Sequence, residues 1–185
     1  MRVLALSLLI LLLAGGAAAA DAKIQNLVAT AAEGEVSVRF GMANAFADEQ
    51  RVQALQSGLA TSITYIVEIY RDRPNWFDEG IQRSRIEVVA TFNSVTREYL
   101  LNYRRDERLV RSETFTDLQA LLKRMTTIDE PSLFTIGDRR PYKLKVRVKA
   151  DLGRGWLLYI IPWQSSTRWR VARVTVPALK AEPKP

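Results

Sequence analysis

Strict alternation of apolar and polar residues is the feature that most constrains this chain. Between Tyr142 and Leu152, Tyr142, Leu144, Val146, Val148, Ala150 and Leu152 fall on one side. Lys143, Lys145, Arg147, Lys149 and Asp151 fall on the other. Side chains of an extended strand project alternately to two faces, so this is the signature of a half-buried β-strand rather than of a helix with its 3.6-residue period. The pattern recurs. Val36, Val38, Phe40 and Met42 oppose Glu35, Ser37, Arg39 and Gly41, and Ile63, Tyr65, Val67 and Ile69 oppose Thr64, Glu68 and Tyr70. Ile86, Val88, Ala90 and Phe92 form a further row, and after Asn93-Ser94 the chain returns through Arg97, Tyr99, Leu101 and Tyr103, which reads as a hairpin. Shorter candidates run from Ile24 to Thr30, Leu109 to Phe115 and Trp169 to Val176. Gly153-Arg154-Gly155 is expected to turn the chain into the apolar run from Trp156 to Ile161, which Pro162 then ends.

Two helices interrupt the strands. One is expected from Asp48 to Ser57, with Asp48 as cap, Val52, Leu55 and Leu59 on one side, and Gly58 at the left-handed C-cap position. The second opens on Thr116-Asp117-Leu118-Gln119, read as a capping box with Thr116 at the cap. Leu118, Leu121, Leu122, Met125 and Ile128 then make a single apolar stripe that must lie against a sheet. About eight strands with two inserted helices predict a mainly β fold, an antiparallel β-sandwich with an immunoglobulin-like arrangement among its candidate topologies. An outer-membrane barrel is set aside, because amphipathic helices and a Lys/Pro-rich end do not suit one.

The first twenty residues read as an export signal. Arg2 is the basic head, Val3 to Leu13 an apolar core, and the alanines to Ala20 a small-residue cleavage site placing the cut between Ala20 and Asp21. The competing reading is a retained anchor. Residues 21–176 are read as a single sandwich domain, and 177–185 as a disordered Pro/Lys tail. A mature chain of roughly 165 residues buries about 70% of its unfolded surface. The absence of cysteine is therefore compatible with an oxidising compartment, and the expected location is the bacterial periplasm or the exterior.

Composition removes most catalytic chemistry. The 185 residues contain no Cys and no His, which excludes thiolate nucleophiles, thiolate zinc sites and imidazole bases. The acid pairs Asp48-Glu49, Asp78-Glu79 and Asp129-Glu130 lack the calcium-loop spacing and read as solvated carboxylates. No phosphate-binding glycine motif occurs. The sequence therefore predicts no catalytic residue, no metal and no cofactor. An enzyme would have to use paired carboxylates or an all-oxygen metal site.

Asn44-Ala45-Phe46, Ser57-Gly58-Leu59, Thr64-Tyr65, Glu68, Tyr70-Arg71-Asp72-Arg73 and Trp76 occur in an order and spacing that resembles a family of short exported proteobacterial proteins catalogued as a domain of unknown function. The resemblance spans nearly all of the mature chain and is most specific between Ser57 and Trp76. It implies an envelope location and no established activity. It also implies a genetic neighbourhood that often holds a membrane sensor histidine kinase. No catalytic residue carries over from it.

With 27 basic against 20 acidic residues the chain is net +7. Lys143, Lys145, Arg147 and Lys149 share a strand face, and Arg168 and Arg170 lie on or near the last strand. Together with Trp76, in a loop after Pro74-Asn75, they form the candidate binding surface. Trp156, Trp163 and Trp169 read as core residues or as an aromatic edge beside that patch. The plain alternative for the lysines is a solvated face whose charges deter edge pairing. Arg104-Arg105-Asp106-Glu107-Arg108 reads as a solvated hairpin loop, and Glu68 as a local partner of Arg71 or Arg73. The expected function is a non-catalytic binding module of the envelope. Its partner is an envelope protein, a sensor-kinase ectodomain among the candidates, or an anionic lipid or glycan, and not nucleic acid. The alternative is a peripheral, lipid-associated protein. No transmembrane segment is expected in the mature chain. On this reading, charge reversal at Lys145 and Arg147 would weaken association without lowering stability.

Overall fold

The structure is a computed structural model that describes residues 21–73, 79–136, 142–157 and 161–176. The expectations for the segment up to Ala20, for Trp76 and for the tail lie outside those residues, as do the side chains of Trp156 and Trp163. Among the described residues ten strands and two helices follow in the order β1 (Lys23–Ala32), β2 (Glu35–Ala43), α1 (Glu49–Gln56), β3 (Thr61–Arg71), β4 (Glu79–Asn93), β5 (Glu98–Arg105), β6 (Arg108–Phe115), α2 (Leu118–Met125), β7 (Thr127–Thr135), β8 (Tyr142–Leu157), β9 (Ile161–Ser166) and β10 (Arg170–Val176).

All pairing is antiparallel. One sheet has the order β1-β2-β7, and the larger has β10-β8-β3-β4-β5-β6 with β9 also paired to β8. The alternating residues explain why two sheets pack. Val36, Val38 and Phe40 of β2 and Ile63, Tyr65, Val67 and Ile69 of β3 are essentially inaccessible, as are Leu144, Val146 and Val148 of β8. Each such side chain stabilises the fold by about 1.5–3 kcal/mol through removal of apolar area from water. Across the layers Phe40 and Tyr65 meet edge to face with ring centroids 5.2 Å apart.

Both helices carry the chain from one sheet to the other. α1 links β2 to β3, and α2 links β6 to β7. Leu55 of α1 and Leu121 and Met125 of α2 are buried in the core. The Tyr65 hydroxyl donates to the Met125 carbonyl at 2.9 Å, fastening the end of α2 to β3. Asp48 caps α1 as expected, accepting from Gln50 N, and Gly58 takes the left-handed φ of 90° that glycine tolerates.

Several local expectations are corrected. The cap of α2 is Asp117, whose carboxylate accepts from Ala120 N at 2.7 Å, and not Thr116. The helix ends at Met125, so Ile128 enters the core from β7 instead of extending the stripe. Leu59 is 63% exposed and does not share the buried side of α1. Gly153 does not turn the chain. β8 runs on to Leu157, and Gly153 (φ 86°) sits where the register with β9 shifts, the left-handed backbone of a bulge. Pro162 lies within β9, on the sheet's margin where its missing N–H is tolerated. β7, which contains Pro131 and breaks the period with a bulge, had no clear sequence signal.

Candidate binding face

The outer face of the large sheet is built by β4, β3, β8 and β10 side by side. Register places Glu68 of β3 between Arg83 of β4 and Arg147 of β8, and places Val171 of β10 beyond Arg147. Sheet geometry therefore brings a carboxylate from one strand to the basic row of its neighbour, a pairing that sequence spacing cannot show. Glu68 is only 8% exposed. Arg147 Nε donates to Glu68 Oε2 at 2.6 Å, and the Tyr70 hydroxyl donates to the same oxygen at 2.8 Å. Arg147 also donates to the Tyr70 hydroxyl, closing a three-residue ring, and Arg83 Nε stands 3.7 Å from Glu68 Oε1. Burial alone would raise the Glu68 pKa. The hydrogen bonds from Tyr70 and Arg147 and the charges of Arg147 and Arg83 outweigh it and hold the carboxyl below its ordinary range. Burial, with the bond to Glu68, pushes the Tyr70 hydroxyl up.

The Arg147 guanidinium lies 4.4 Å from the ring centroid of Tyr70 and 4.4 Å from that of Trp169, one aromatic on each flanking side. Lys149 Nζ lies 5.1 Å from the same Trp169 ring. Such contacts contribute about 0.5–1 kcal/mol each at exposed sites. One register step further, Lys145 Nζ is 2.9 Å from Asp72, and Arg173 Nε is 3.8 Å away. The Lys145 hydrogen bond, then the charges of Lys145, Arg173 and Lys143, lower the Asp72 pKa.

The basic row is therefore not uniform. Lys145 and Arg147 are clamped by acids of β3 and the turn after it. Lys143 is exposed and has no ion pair within 4 Å among the described residues, and Lys149 lies against the Trp169 ring. β8 lies inside the sheet, so these cations do not guard an edge. Arg168 and Arg170 are exposed, but Arg170 stands opposite the buried Val148 and so belongs to the other side of β10 from Val171 and Arg173. Trp169 is 37% exposed beside the patch, which favours the aromatic-edge reading for it. Glu68 pairs across strands with Arg147 and Arg83, while Arg73 pairs with Glu79.

A second polar cluster lies between the layers. Glu130 of β7, 5% exposed, accepts from the Tyr103 hydroxyl at 2.6 Å and from Arg105 at 3.0 Å. Asp129 points the other way, to Arg39 at 2.9 Å. The reading of Glu130 as a solvated carboxylate is thus corrected, and so is that of Arg105 as a loop residue. Arg105 precedes a turn whose two central residues, Asp106 and Glu107, both have positive φ, and its side chain reaches inward. No group of three or more acidic side chains that could hold a metal occurs among the described residues. The end carrying the helices has an open groove of about 550 Å³, lined by Met42, Asn44, Ala45, Phe46, Val52 and Leu122 among others, which collects the Asn-Ala-Phe residues. No helix of the described residues is long and apolar enough to cross a membrane.

No curated protein and no solved structure matches this chain. A family model described as a domain of unknown function (DUF4390) matches residues 19–171, and the chain belongs to that family.

Proposed function

We propose that this protein is an exported, periplasmic binding module of the cell envelope with no catalytic role, and that its outer basic face engages an acidic surface of an envelope protein. A sensor-kinase ectodomain is one candidate. The observation that carries this reading is the division of labour along β8. Lys145 and Arg147 are held by Asp72 and Glu68, while Lys143 and Lys149 stand on the same strand face, Lys149 beside a half-exposed Trp169. Cations held on a rigid sheet next to an amphipathic ring suit recognition of acidic groups, and they steer association more than they add affinity. The absence of His and Cys from the whole chain supports the non-catalytic part.

The test is crosslinking of tagged protein in its native envelope, with captured proteins identified by mass spectrometry. A reproducible envelope protein, lost on Lys143→Glu/Lys149→Glu, is the expected result. The same face favours a second reading, contact with anionic lipid, at about 1 kcal/mol per Lys or Arg near the surface. Sedimentation with anionic vesicles that is lost in high salt, together with no captured protein, would establish that reading instead.

A further inference from the structure

The large sheet ends on β6, whose outer edge pairs with no strand among the described residues. An unpaired edge presents backbone N–H and C=O groups that template further pairing, and proteins blunt such edges with proline, bulges or a covering element. The other sheet margins carry these devices. β7 contains Pro131 and a bulge against β2. β1 is bulged between Gln25 and Val28, with Asn26 at φ 52°, and it packs beside β10. β6 has no proline. Its register with β5 is unbroken from Phe115 to Arg111 and shifts once beyond, at Val110, so the regular edge is the Arg111–Phe115 stretch. It leaves Leu109 61% and Val110 49% exposed.

We propose that β6 docks against β6 of a second copy of this chain, antiparallel about a two-fold axis at Ser112, so that the two large sheets become one. Charge selects both occupant and register. With the axis at Ser112, Arg111 of each copy lies opposite Glu113 of the other, and the exposed Val110 follows next along the seam. An axis at Arg111 would set two guanidinium groups face to face, and one at Glu113 two carboxylates. Within one copy Glu113 accepts from Arg124 Nε at 3.1 Å on both carboxylate oxygens and from its Nη2 at 2.9 Å. Arg111 lies 3.9 Å over the Tyr103 ring, and its Nε is ion-paired with Glu113 at 3.2 Å. Arg111 is thus a positioned cation at this edge. A two-fold axis perpendicular to the sheet also puts both outer basic faces on the same side, which would raise avidity for a repetitive acidic surface.

The chain has no cysteine, so a single introduced thiol reads the register directly. In the dimer two Ser112→Cys residues would be directly opposite, with Cβ atoms about 4.5–5.5 Å apart. Two Thr114→Cys residues would be about 13 Å apart and beyond disulfide reach. The expected results are a concentration-dependent dimer in sedimentation velocity, a disulfide-linked dimer from Ser112→Cys but not Thr114→Cys, and at least tenfold weaker association of Val110→Lys at unchanged melting temperature. A protein that stays monomeric at every concentration, or a dimer that Ser112→Cys does not crosslink or that Val110→Lys leaves intact, overturns the proposal.

Discussion

Arg147 Nε lies 2.6 Å from Glu68 Oε2 across β8 and β3, and the same guanidinium lies against Tyr70 and Trp169. This pair anchors the basic face instead of merely contributing to it. Removing one partner of a buried ion pair leaves an uncompensated charge and costs about 3–5 kcal/mol. Arg147 is 38% exposed and Arg83 remains near Glu68, so Arg147→Ala is expected to destabilise by about 2 kcal/mol. Arg147→Glu should cost more. Lys143→Glu and Lys149→Glu should shift stability by no more than about 0.5 kcal/mol. Urea unfolding of the four variants checks this. Because Asp72 and Glu68 hold Lys145 and Arg147, charge reversal at these two positions is expected to lower stability, contrary to the expectation from sequence.

Acid should weaken the protein through Glu68 and Asp72. Both carboxyls have folded pKa values below their ordinary 4.5 and 3.8. In each window between the unfolded and the folded value the unfolded chain binds more protons. Stability from these groups is therefore fully present above pH 4.5 and falls as pH drops through the folded values. Unfolding free energy measured from pH 6 to 2 should show that decline, and Glu68→Gln should flatten its upper part.

Alkali should act through buried phenols. Burial raises the Tyr65 and Tyr103 hydroxyls well above 10.0, and the bond to Glu130 adds to the shift at Tyr103. The unfolded chain releases these protons first, so stability is fully present below pH 10 and declines as pH rises beyond it. Tyr65→Phe should reduce the alkaline decline and cost about 1 kcal/mol at neutral pH by leaving the Met125 carbonyl without its donor.

The cap of α2 separates two readings of one tetrapeptide. Asp117→Ala should cost about 1 kcal/mol, because its carboxylate satisfies Ala120 N, while Thr116→Ala should cost little. Thermal melts of the two variants decide between them.

The strand rows were legible because one face of each sheet meets water and the other does not. β2, β3, β4, β5 and β8 all follow the alternation that their residues display. β7 was not legible, because Pro131 and a bulge break the period and its core side chain Glu130 is charged. The face of Lys143, Lys145, Arg147 and Lys149 was readable as a row, but its acidic half was not. Glu68 and Arg147 are 79 residues apart in the chain, and only the β3–β8 register joins them. The same limit hid the Glu130–Tyr103–Arg105 cluster, whose members come from different sheets.

The most direct test of the basic face as a docking surface is site-specific photocrosslinking in cells. A photoreactive residue at Val171, exposed on that face, is compared with one at Val95, 89% exposed in the β4–β5 turn. The account predicts a discrete, reproducible protein adduct from position 171, none from position 95, and loss of the adduct when Lys143→Glu/Lys149→Glu is added. Equal adducts from both positions, or an adduct at 171 that survives the charge reversal, would contradict it.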